Sequence, residues 1–117
     1  MEDELEKAVT EQIEAYDFIM DIWELTTEEM VEAVEKRDPS FIEFIERMRE
    51  PPKNDLDFLE CFCFWTITRL QEKYSHIWDK ATDAYFHSEA RKKRFENAKI
   101  KSDICSAIEQ ILKNSGF

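Results

Sequence analysis

The stretch DLDFLECFCFWTITRLQEKYSHIWDKATDAYF, residues 55–86, decides the fold class. With Cys63 set to zero and about 100° per residue, Leu56, Leu59, Ile67, Leu70, Tyr74, Ile77, Trp78, Ala81 and Tyr85 fall within about 60° of it. A stripe held this long is the mark of a helix. A strand over 61–68 would suit the β-branched and aromatic content, but no turn residues flank it. Asp55 is placed to cap the helix, and no Gly or Pro interrupts residues 53–115. The pattern predicts one long central helix over about 55–86.

The same segment is apolar on a second side. Phe58, Cys61, Phe62 and Trp65 lie opposite the stripe, Phe64 sits on a flank, and farther along that side turns polar with Arg69, Glu72 and His76. Residues 4–24 behave alike. Leu5, Val9, Ile13, Tyr16, Met20 and Trp23 form one stripe, while Phe18, Ile22 and Leu25 lie across from it. A helix that is apolar all round has to be covered all round. Two such segments either pack at the centre of a bundle or meet across an interface. Phe18, Ile22, Phe58, Phe62, Phe64 and Trp65 are the candidate seam for self-association, as in a homodimer, or for a partner.

Working outward, Thr26 and Glu29 have the spacing of a capping box and predict a second helix from about Thr27, with Met30, Val31 and Val34 inward. Asp38-Pro39 reads as an N-cap followed by proline at the first helical position. The third helix, about 39–49, turns Phe41, Ile42, Ile45 and Met48 inward until Pro51-Pro52 stops it. Beyond the long helix, Ser88 and Ser102 are placed to cap helices near 88–100 and 102–114. The expectation is an all-α, single-domain bundle of five to six helices over 1–117. An acidic three-helix half (1–50) precedes the long helix and one or two C-terminal helices (55–114).

Composition narrows the function classes. The 117 residues carry a net charge of −11, with 43 % hydrophobic and 13 % aromatic residues, enough to build a core. Residues 1–60 hold 20 acidic and six basic side chains; residues 61–117 hold seven and ten. No apolar run reaches the length of a membrane span, so no membrane partner is expected. Met1-Glu2-Asp3-Glu4 lacks the basic and apolar regions of a signal peptide. Three cysteines suggest reduced thiols and a cytoplasmic location. One glycine leaves no glycine-cradled nucleotide site.

Three constellations bear on chemistry. Glu11 and Glu14, Glu29 and Glu32, and Glu43 and Glu46 are i, i+3 carboxylate pairs of the kind that clamp Mg²⁺. All-helical nucleoside-triphosphate pyrophosphatases use two such pairs on neighbouring helices, but here a following acid-plus-Asp pair with a nearby Lys is missing. Cys61, Cys63, Cys105, His76 and His87 include zinc-ligand types. On a helix, however, Cys61 and Cys63 point about 200° apart, so no metal or other cofactor is assigned. Arg69 and His76 stand seven residues apart, about 10 Å along one helix face. Helical HEPN ribonucleases place an Arg and a His within a few residues on one helix and pair them across a dimer for acid–base cleavage of RNA, a spacing this pair meets only at its long end. Leu70 follows Arg69 where that family carries a polar residue.

Neither histidine is flanked by a Ser–His–Asp or Cys–His pattern, and no catalytic residue is assigned. The basic cluster Arg91, Lys92, Lys93, Arg94, Lys99 and Lys101 is a possible contact for a polyanion or an acidic partner. Its residues are spread around a helix, and the net charge opposes nucleic acid. The leading expectation is a non-enzymatic acidic helical protein that recognises the basic surface of another protein. An inhibitor, an immunity or antitoxin-type protein, or a small complex subunit has this physical character. The alternatives are an RNA-binding protein or ribonuclease using Arg69 and His76, and a metal-dependent hydrolase using the paired Glu residues.

Overall fold

The computed structural model describes residues 2–89 together with Lys92, Ser106, Gln110 and Lys113. These residues form an all-helical bundle: α1 (Glu2–Ile22), α2 (Thr27–Arg37), α3 (Pro39–Glu46), α4 (Asp55–Lys73) and α5 (Trp78–Phe86). The expected helices near 88–100 and 102–114 lie outside the described residues. Helix α1 packs against α5 and α4, and the α2–α3 hairpin closes over α4 from the other side.

Local chemistry sets most of the boundaries. The capping box at α2 is complete, with Thr26 accepting from the Glu29 backbone and Glu29 accepting from the Thr26 backbone. Proline at 39 disfavours helical geometry in the residue before it. Asp38 accordingly leaves the helical region, its N–H still bonded to Val34, and α3 starts anew at Pro39. Asp38 occupies the N-cap position as expected, its carbonyl accepting from the Phe41 amide, but its side chain makes no capping hydrogen bond and its carboxylate lies 3.7 Å from Arg37. Helix α3 also ends at Glu46 rather than near 49, because the Arg47 and Met48 amides bond back three residues, to Phe44 and Ile45. The cap of α4 is Asn54, whose side chain accepts from the Asp57 amide; Asp55 instead accepts a hydrogen bond from Thr27, tying the starts of α2 and α4 together.

The expected continuous helix over 55–86 is broken. Residues 74–77 form a turn in which the Ile77 amide bonds to the Tyr74 carbonyl, three residues back. Two contacts hold this corner to α1: Lys73 lies 2.7 Å from Glu11, and His76 lies 2.8 Å from Glu4. The turn redirects the chain while Tyr74, Trp78, Ala81 and Tyr85 all stay buried. Leu56, expected inside, is 54 % exposed, so the buried part of the stripe begins at Leu59.

Of the expected α1 stripe, Tyr16 and Met20 are buried, but Leu5, Val9, Ile13 and Trp23 are only half covered, and the buried face of α1 is shifted. Ala8, Gln12, Ala15 and Ile19 lie at its centre, an arc rotated by roughly 60–80°. Helix α5 packs against α1 through Tyr85, which meets Tyr16 edge to face at 4.8 Å.

Candidate functional site

The two-sided apolar character of α4 is absorbed mainly by the bundle itself. Phe41 of α3 is fully buried and meets Phe58, Phe62 and Trp65 edge to face at 5.5, 5.1 and 5.4 Å. Phe18 of α1 reaches Phe62 from another direction at 5.8 Å. Of the candidate seam, Ile22, Phe58 and Phe62 are therefore covered by the chain's own helices, while Phe18 and Trp65 are half-buried. Phe64 differs. It is 57 % exposed, and Phe44, three residues after Phe41, is 48 % exposed.

Phe44 and Phe64 line one groove between α3 and α4, of about 880 Å³, together with Met48, Cys61, Trp65 and Thr68. The Thr68 hydroxyl donates to the Phe64 carbonyl and is satisfied within the helix. Charged residues frame the groove: Glu60, Glu72 and Arg69, with Gln110 also contributing. Arg69 is fixed over the Trp65 ring, 5.0 Å from its centroid. Sequence reading singled out Phe64 but not Phe44. Position 44 has the same apolar character as its buried neighbour, and only the packing separates them.

The remaining candidates are dispersed. His76 lies beyond the end of α4, where its Nε2 contact with Glu4 lowers the pKa of that carboxyl. Arg69 and His76 thus do not share one continuous helix face. Of the carboxylate pairs, Glu11 holds Lys73, Glu29 completes the capping box and Glu32 lies 3.6 Å from Lys36. Glu14, Glu43 and Glu46 are exposed. Among the described residues, no group of three or more His, Cys, Asp or Glu is arranged to hold a metal. Likewise, no helix among them is long and apolar enough to cross a membrane. His87 lies 3.5 Å from Asp83, and Lys92, exposed, lies 3.5 Å from Glu89. Arg91, Arg94, Lys99, Lys101 and Cys105 lie outside the described residues.

The two described cysteines are free thiols in different settings. Burial, aided by the Glu60 charge, pushes Cys63 up to about 12; Cys61 is only half-buried, and burial raises it too. Iodoacetamide at pH 8 should therefore modify Cys63 only after denaturation, and Cys61 first, as peptide mass mapping would show. The same shift makes folding pH-dependent. Above pH 9 the unfolded chain releases the Cys63 proton while the folded chain keeps it, so stability falls as pH rises between 9 and about 12. Cys63→Val should show a smaller loss of urea midpoint between pH 8 and pH 10 than the native chain.

Comparison with models of protein families, with curated proteins and with solved structures finds no match to this chain.

Proposed function

We propose that this chain is a non-enzymatic acidic helical protein that recognises a basic surface on another protein, acting as an inhibitor, an immunity or antitoxin-type protein, or a small complex subunit. The observation that carries the reading is the groove holding Phe44 and Phe64. Both rings are about half exposed, so covering them would recover roughly half of the 1.5–3 kcal/mol that fully burying such a side chain brings, on the order of 1 kcal/mol each. The groove carries Glu60 and Glu72 on its rim, and residues 1–60 supply 20 acidic side chains against six basic ones. A partner segment with apolar anchors and flanking Lys or Arg is complementary to that surface. The aromatic groove would supply affinity, and the acidic field would speed encounter and select partners.

The experiment is affinity capture from native lysate, with and without nuclease, using the native chain, a Phe44→Ala/Phe64→Ala variant and a Glu60→Lys/Glu72→Lys variant. The expected result is a stoichiometric, nuclease-resistant basic protein captured by the native chain and lost in both variants, with thermal melts close to native. Capture unchanged in both variants would overturn the reading. Nuclease-sensitive RNA as the only bound species would replace it with the RNA-binding alternative.

A further inference from the structure

On the other side of the Trp65–Arg69 ridge lies a second, smaller concavity of about 410 Å³, between α1, the α2–α3 junction and α4. We propose that it is a binding site for a small zwitterion, a free α-amino acid with an apolar side chain. Its two walls and its floor each favour such a ligand.

The first is a preset cationic wall. Arg37 lies 4.7 Å over the Phe18 ring and Arg69 lies 5.0 Å over the Trp65 ring, so both guanidiniums are held by aromatic faces. Planar guanidinium groups match a carboxylate by paired hydrogen bonds, and fixing them beforehand reduces the ordering cost of binding. Asp38, between them in sequence and under the influence of both, is 3.7 Å from Arg37, too far for a good hydrogen bond. It leaves guanidinium donors available.

The second feature is an opposing anionic wall. Glu11 and Glu14 line the α1 side. Glu11 is engaged by Lys73, whereas Glu14 is exposed and placed to receive an ammonium group. A plain anion would meet repulsion from Glu14 and Asp38, and a plain cation would meet it from Arg37 and Arg69. A molecule carrying both charges is matched on both sides.

The third is the floor. Ala15, Phe62 and Leu70 give it an apolar base, and Thr66, nine-tenths buried, brings a hydroxyl that no protein group satisfies. A volume of this order suits a small metabolite. An apolar side chain would lie on the floor while the charged end met the walls.

The test is a titration of the ¹⁵N-labelled chain with L-leucine and L-phenylalanine, beside N-acetyl-L-leucine and L-leucinamide, which each keep one of the two charges. Saturable shifts are expected at the amides of Arg37, Thr66 and Arg69 and of Ser40, which also lines the concavity. Each one-charge analogue should bind about tenfold more weakly, as should L-leucine to Arg69→Gln or Glu14→Gln. Arg69 and Glu14 are exposed, so the rest of the amide spectrum should stay native and report an intact fold. The proposal is overturned if neither amino acid gives a saturable shift, if a one-charge analogue binds equally well, or if Arg69→Gln leaves affinity unchanged.

Discussion

Phe41→Ala should remove about 3–5 kcal/mol of folding stability, a large part of what a domain of this size possesses. Phe41 is fully buried and is the residue through which the short helix α3 grips α4, touching Phe58, Phe62 and Trp65. Truncating it removes the transfer energy of the ring and opens a cavity whose lining is aromatic and too stiff to collapse fully. Helix α3 has only eight residues, too few to persist without packing. The loss should therefore extend to the groove wall that carries Phe44. Urea denaturation gives the number, and Phe44→Ala is the internal contrast. At 48 % exposure, it should cost well under half as much. A loss below about 1 kcal/mol for Phe41→Ala would show that α3 does not dock through this ring.

The same hub shows how far the sequence was legible. Helix boundaries written in local chemistry, such as the Thr26–Glu29 capping box and the break before Pro39, can be read directly. The turn at 74–77 cannot, because the apolar phase survives it. Tyr74 and Trp78 remain inward on either side of a three-residue hydrogen bond, so the stripe reads as unbroken while the axis changes direction. On α1 the error has another source. Apolar periodicity favours Leu5, Val9 and Ile13, yet Ala8, Gln12, Ala15 and Ile19 take the centre, because which side of α1 meets α4 and α5 is set by tertiary packing. Periodicity also marks both Phe41 and Phe44 as apolar. Which of the two is spent on the core depends on α4 being beside α3, a tertiary fact with no local signature. The small polar pocket was illegible for the same reason, since Arg37 and Arg69 belong to different helices and stand 32 residues apart in the chain.

The residue on α1 that periodicity would never place inside is Gln12, and its replacement gives the second large expected effect, of opposite sign. Gln12→Met should stabilise the fold by about 1–3 kcal/mol. Gln12 is 1 % exposed, and neither atom of its amide has a hydrogen-bond partner in the protein. Tyr16, one turn on, and Thr82 on α5 also carry buried oxygens without a protein partner. Taking an amide out of water without compensation costs on the order of 1–3 kcal/mol, whereas methionine keeps nearly the same length and flexibility and carries no such cost. Urea unfolding of Gln12→Met should give a higher midpoint with an unchanged slope, and Tyr16→Phe a smaller shift in the same direction. A lower midpoint for Gln12→Met would mean that the amide is satisfied in solution and that this interior is a polar core held by bound water. In that case the double variant Gln12→Met/Tyr16→Phe should lose less than the sum of its parts, because neighbours in one network are not additive. A protein that keeps an unsatisfied amide at the centre of the longest of its described helices has given up stability at a position where a methionine would fit. The sign of this one midpoint shift decides whether the interior beside α1 holds an unsatisfied amide or a hydrated polar core.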